Sequence, residues 1–312
     1  GKGRFLSSIY VCESLRHIAD SPDSTDACIS FWLSFLNLEK TDELWMEFTF
    51  PKLLSKIESP ELALRLIDIM LSYKAEWSKG FAGTEGSFHP RFRFNYSDNA
   101  ETVSKTIVVW TDCIGERLFS LLCNRLSAIA NLEAGYTDLN EWIDSSSFIR
   151  HAIEDHEQDM PKEGTFCVLI DCAREVGRKL FLANNLGPNQ VLTLIRSKCS
   201  LIKRLGLYLY CQNLSDADQA LALAVECGGL KDLAAKYEIY HLVLTAYPKA
   251  SKLAKKNFIE GVNLTFAEYE DAHHCSYARF NLYQWLVDYN VTDDLLQQQL
   301  DQIRVDYPNF EL

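Results

Sequence analysis

QVLTLIRSKCSLIKRLGLYLYCQNLSDADQALALAVECGGLKDLAAKYEIYHLVLTAYPKASKLAKKNFIEGV, residues 190–262, is the stretch whose reading decides the fold. Ile202, Leu205 and Leu209 fall at i, i+3 and i+7, one face of an α-helix. A break at Asn213 follows, and Ser215 is placed to cap a helix from Asp216 to Val225. Its apolar positions Ala217, Ala220, Leu221 and Ala224 share a face. Tyr237, Tyr240 and Leu244 then make a stripe, Pro248 stops that helix, and Leu253, Phe258 and Val262 belong to the next. The two halves are offset by between 32 and 36 residues, matching Leu207-Tyr208-Leu209 to Ile239-Tyr240-His241 and Ser215 to Ser251. Antiparallel helix pairs that cannot bury their stripes alone are the units of an α-solenoid. The pattern predicts an all-α fold, a HEAT- or TPR-like solenoid with one long irregular loop.

Working outward, the predicted order is an N-terminal helical segment (1–77), an irregular loop (78–99), and a helical-repeat region (100–312) continuous with the first segment. Early helices are predicted over Phe5–Ala19, with Phe5, Ile9 and Ile18 inward, and over Asp26–Asn37. Leu44, Trp45, Phe48, Leu53, Leu54 and Ile57 carry the signal across Pro51, which should kink or restart the helix. Ser59-Pro60-Glu61 starts the next helix: a capping Ser, a Pro at its first position and an acid in its first turn. Thr111–Leu132 is the clearest long helix. Shorter ones are expected at Leu139–Ile143 and Ser147–Asp155, then Thr165–Ala183, a long Phe266–Tyr289, and Asp293–Val305.

The 312 residues are 47% hydrophobic, which excludes disorder of the whole chain. Lys and Arg number 31 against 43 Asp and Glu, a formal net charge of −12. Such a surface repels nucleic acid and anionic membrane, so neither is an expected partner. None of the ten cysteines forms a CxxC pair; reduced thiols and a cytoplasmic setting are expected. No apolar run approaches the roughly 20 residues of a membrane-spanning helix. The chain begins at Gly1 without Met and is read as a piece of a longer polypeptide, with any catalytic domain or oligomerisation belonging to the parent.

Neither GxxxxGK[ST] nor GxGxxG occurs, so no nucleotide or other cofactor is expected. His151 and His156 lie five apart, which on a helix would point them about 140° from each other rather than at metal-ligand spacing. His273 and His274 are adjacent and diverge. A metal or cysteine site near His151, His156 and Cys172 is the enzymatic alternative, and an internal scaffold holding the domains of a multidomain parent together is the other. Residues 78–99 lack a helical period and interleave Phe88, Arg91, Phe92, Arg93, Phe94 and Tyr96, aromatic and Arg side chains of the kind found in binding hot spots. The loop is therefore either a structural clasp or a partner-binding element; a short hairpin near 88–97 fits its alternation. Val176–Gly206 has no acid, and Arg196, Lys203 and Arg204 there either neutralise neighbouring repeats or line a groove for a protein partner.

Several stretches carry a resemblance. Phe148–Asp159 (FIRHAIEDHEQD), Leu169–Glu175 (LIDCARE), Ser200–Leu207 (SLIKRLGL), Tyr237–Tyr240 (YEIY), Arg279–Trp285 and Asp306–Phe310 resemble the C-terminal helical region of large bacterial anti-phage defence proteins. These include STAND-type NTPases and sirtuin-like NADases. The resemblance covers roughly residues 137–312. It implies a non-enzymatic sensor that recognises a phage protein, the effector domains lying towards the N-terminus of the parent. Residues 78–99 have no counterpart in it.

Overall fold

The computed structural model describes residues 8–36, 46–78, 87–134, 150–156, 164–226, 230–269 and 271–311. It is 74% helical, with 14 α-helices and one two-stranded sheet among the described residues, so the fold is all-α. Phe5, Leu44, Trp45 and the predicted helix Leu139–Ile143 lie outside the described residues. By its contacts the chain divides into two compact units: residues 1–150 with 155–186, and residues 151–154 with 187–312.

In the first unit, α1 (Ser8–Asp20) packs against α2 (Asp26–Ser34) and α3 (Met46–Leu54), and α3 against α4 (Pro60–Met70). The α1 face is rotated from the expected one. Val11, Leu15 and Ala19 are buried, whereas Ile9 is 70% exposed; the i, i+4, i+8 row fills the interface and Ile9 falls off it. Pro51 lies inside α3 and does not restart it. The Glu47 carbonyl, which Pro51 cannot engage, accepts instead from Asn99 Nδ2 at 3.1 Å. Ser59 caps α4 as expected, its Oγ accepting from Leu62 N at 3.4 Å with Pro60 first in the helix.

A hairpin follows. β1 (Tyr73–Ser78) pairs antiparallel with β2 (Ser87–Phe92), Tyr73 opposite Phe92 and Ser78 opposite Ser87. The first strand thus lies ahead of the stretch read as irregular, and the second earlier than 88–97. Next come α5 (Ala100–Val108), α6 (Thr111–Ala134) and α7 (Gly164–Leu182), with α5 and α6 both against α7. Leu118, Leu122, Leu126 and Ile129 form the buried stripe of α6. Residues 150–156 are irregular, not the end of a helix from Ser147.

The second unit holds α8 (Pro188–Ile195), α9 (Ser200–Gln212), α10 (Ala217–Glu226), α11 (Lys236–Ala246), α12 (Lys252–Ala267), α13 (Ala272–Asp288) and α14 (Asp294–Asp306). Contacts join α8 to α9, α9 to α11, α10 to both α11 and α12, α12 to α13, and α13 to α14. Each of α9 and α10 therefore meets the helix two places on. Ile202, Leu205 and Leu209 are buried as read. Asp216, not Ser215, supplies the side-chain cap of α10, accepting from Gln219 N at 2.9 Å. The expected single helix from Phe266 to Tyr289 is two, because Asp271 starts α13 by accepting from His273 N.

Two polar joints recur at one offset. In the first unit Asp26, opening α2, accepts from Ser59 N at 2.6 Å, the cap of α4, 33 residues on. In the second, Asp218 in the first turn of α10 accepts from Ser251 N and Oγ, each at 2.7 Å, the cap of α12, again 33 residues on. In both, a carboxylate near one helix N-terminus satisfies an orphan amide at the next, where the helix dipole also favours negative charge.

Candidate functional site

The loop residues singled out in the sequence turn inward. Phe94 and Tyr96 are buried, Phe94 in an edge-to-face contact with Phe50 at 4.9 Å, and the Thr165 hydroxyl donates to the Phe94 carbonyl. Phe92 is half-buried, its ring 6.3 Å from those of Tyr73 and Phe166. Arg91 is exposed and pairs across the hairpin with Glu76 at 3.2 Å, and Arg93 donates its backbone N–H to Ser72 O at 3.0 Å. The Phe88 side chain lies outside the described residues. The alternation read as exposed aromatics instead fixes the hairpin to the first unit, so Phe92, Phe94 and Tyr96 form a clasp, not a free recognition element. Burial, helped by the Glu47 charge, holds the Tyr96 hydroxyl well above its ordinary pKa.

The basic residues divide in the same way. Arg204 is fully buried and its Nε donates to both Glu238 oxygens, at 3.3 and 3.2 Å, Glu238 being only 3% exposed. Glu238 Oε1 also accepts from Ile153 N at 2.8 Å. Lys203 pairs with Asp232 at 3.0 Å. These two cations are structural ties 29 and 34 residues along the chain, which corrects their reading as groove residues. Arg196 is exposed.

Among the candidates for an enzymatic site, His151 is exposed and His156 half-buried, both on irregular backbone, so the helical-wheel angle argued for them does not apply. Cys172 is fully buried in α7, and that burial pushes its thiol above its ordinary range, the reverse of what a nucleophile needs. His273 packs edge-on against Phe310 at 5.0 Å, and the His274 imidazole faces Asp271 at 3.1 Å. No group of three or more His, Cys, Asp or Glu side chains among the described residues is placed to hold a metal ion.

A second buried network lies in the first unit. Arg150, fully buried, donates to Asp171 Oδ1 at 2.9 Å; Arg174 donates to Asp155 at 2.9 Å and lies 3.3 Å from Asp171; Arg178 and Arg174 share Glu175. Three arginines face three carboxylates, so the cluster is internally compensated, with Asp155 at its exposed edge.

What the sequence reading missed is the outer face of α11. Tyr237, Tyr240 and Leu244 were read as a buried stripe; they are only half-buried, and the core positions are Ile239, Leu242, Val243 and Ala246. Tyr237 stacks with His241 (6.2 Å, 19° between planes) and its hydroxyl donates to Glu154 Oε1. Tyr240 lies 5.2 Å from Trp285, and Trp285 lies 4.8 Å from Tyr289, which is 57% exposed. Burial and the Glu154 hydrogen bond raise the Tyr237 pKa, so its hydroxyl stays protonated and donating. The available signal was that Tyr237, Tyr240 and His241 sit at i, i+3 and i+4 with a polar group on every ring, unlike Ile239 and Leu242.

No family model matches the chain, and neither a curated protein nor a solved structure matches it. No helix among the described residues is long and apolar enough to cross a membrane.

Proposed function

We propose that this chain is a non-enzymatic, helical-repeat protein-recognition region, with the α-solenoid as its architecture. The observation that carries the reading is the recurrent aspartate-to-serine joint, Asp26 with Ser59 and Asp218 with Ser251, at the same 33-residue offset. A joint repeated at one spacing is what stacked helix pairs require, and helix pairs with an aromatic outer row recognise other proteins. The resemblance of residues 137–312 supports placing it as the sensor of a larger bacterial anti-phage defence protein, acting in the cytoplasm on a phage protein. The burial of Cys172 weighs against the enzymatic alternative.

The test captures proteins on the immobilised chain from phage-infected and uninfected bacterial lysates, identifies them, and remeasures each with purified components. The expected result is a phage protein retained only from infected cells, with one-to-one binding that needs the folded chain. Equal capture from both lysates, or none, would remove the sensor reading. Turnover of any substrate by the purified chain would remove the non-enzymatic one.

A further inference from the structure

We infer that the outer face of α11 and α13 is a receptor for an arginine side chain presented by a basic segment of a partner protein; this deepens the protein-recognition reading and rests on it. Tyr237, Tyr240, His241, Trp285 and Tyr289 line this face, linked ring to ring at 4.8 to 6.2 Å within each cluster. Tyr289 is 57% exposed and the other four are half-buried, so the row borders solvent. Glu154 supplies the charge. Its Oε1 accepts from Tyr237 and lies 3.9 Å from His241 Nδ1, while Oε2 has no hydrogen-bond partner among the described residues. The Glu154 side chain is 31% exposed, which leaves that oxygen within reach of an incoming donor.

Two further observations fix the sign and the kind of guest. The face already draws a cation from its own chain, since Lys236 Nζ stands 5.2 Å over the Tyr240 ring. The sequence around α13 is acidic: Glu268–Leu312 contains nine Asp and Glu against only Arg279 and Arg304. Together these disfavour phosphate groups and favour a basic guest. Between the two basic side chains, arginine fits better. Its planar guanidinium stacks on aromatic rings and presents a fork of N–H donors to a carboxylate, whereas the compact, strongly hydrated lysine ammonium does neither.

The experiment uses the full chain and four nine-residue peptides, each (Gly-Ser-X)3, with X as arginine, lysine, citrulline or glutamate. The readout is the indole N–H resonance of Trp285, assigned by its loss in Trp285→Phe. The expected result is a saturable shift with the arginine peptide, at least tenfold weaker binding of citrulline, which keeps the shape without the charge, and no shift with glutamate. Glu154→Gln and Tyr289→Ala should each weaken the arginine peptide about tenfold, and Tyr289→Phe should not; circular dichroism verifies the fold of each. Binding of the lysine or the citrulline peptide equal to that of arginine, no shift at millimolar peptide, or an undiminished shift in Glu154→Gln would overturn the proposal. So would a shift with a single-stranded oligonucleotide in place of the arginine peptide. A captured partner protein whose affinity survives Tyr289→Ala would sink this inference alone and leave protein recognition standing.

Discussion

Replacing Glu238 with alanine tests the deepest tie in the second unit. Glu238 holds two donors: Arg204 Nε is shared between both its oxygens, and Oε1 receives Ile153 N at 2.8 Å. Arg204 is fully buried, so water cannot replace the lost carboxylate. Removing one member of a buried pair costs about 3–5 kcal/mol, and an orphaned buried amide costs about 1–3 kcal/mol on its own scale. The two overlap, so the expected loss for Glu238→Ala is roughly 4–6 kcal/mol, a large part of a typical stability of 5–15 kcal/mol. Replacing Arg204 and Glu238 together with methionine removes the uncompensated charge, while the Ile153 amide still loses the Glu238 acceptor. That double variant is expected to fall within about 2 kcal/mol of the wild type.

Urea denaturation followed by circular dichroism gives the three free energies, and amide hydrogen exchange at Ile153 reports the local tie. The expected pattern is a large loss in Glu238→Ala, recovery in the double variant, and faster Ile153 exchange in both. A loss below about 1 kcal/mol in Glu238→Ala, or a double variant as unstable as the single one, would refute the argument that burial of Arg204 sets the cost.

Other outcomes follow from single contacts. Phe94→Ala should lower stability by about 3–5 kcal/mol, because its ring is 1% exposed and packs on Phe50; an unchanged melting temperature would return the hairpin to the role of a free loop. Gly206→Ala should destabilise despite a better helix propensity, since its Cβ would meet Ile195 N at 2.7 Å; a gain in the urea midpoint would show that α8 yields. A thiol reagent should modify the exposed Cys28 and Cys113 in the native protein and reach Cys172 only on unfolding, as stoichiometry against urea would show. Asp218 is held below its ordinary 3.8 by hydrogen bonds from the Ser251 side chain and backbone, so the unfolded chain binds its proton more readily. The stabilisation is then present above about pH 3.8 and lost as pH falls through the depressed folded value, and Asp218→Asn should flatten the acid limb of a stability–pH curve.

The helices were legible because their signals are local. Ser59-Pro60 capped α4 as read, and the Ile202, Leu205, Leu209 stripe went to the core. Where a second row was equally apolar the reading chose wrongly, as with Ile9 against Val11, Leu15 and Ala19. Leu253, grouped with Phe258 and Val262 from the pattern, is 68% exposed, since the buried side of α12 is filled by Phe258, Ile259, Val262 and Phe266. Pro51 illustrates a different failure. Its helix continues because Asn99, 52 residues from Glu47, takes up the stranded carbonyl, and no window around Pro51 contains that partner. Residues 150–156 failed for the same reason, their amide at Ile153 being bound by a carboxylate 85 residues away.

The candidate binding face was the least legible part, and the cause is physical. On a helix, a tyrosine row facing solvent and one facing the core have the same period; only the fate of the hydroxyl separates them. Tyr247, whose hydroxyl reaches Asp293 at 3.3 Å, is fully buried, while Tyr237, whose hydroxyl reaches Glu154, is not. Both phenols are satisfied, so polar bookkeeping alone does not sort them. What sorts them is how far each ring is covered. Tyr247 is fully buried, with Phe258 of α12 at 5.9 Å, whereas Tyr237, Tyr240 and His241 of α11 are half-buried, Tyr240 lying 5.2 Å from Trp285 of α13. On the reading proposed above, this half-buried row, with Tyr289 57% exposed beside Trp285, is where a partner would be met, and the buried rings of the aromatic hairpin are not.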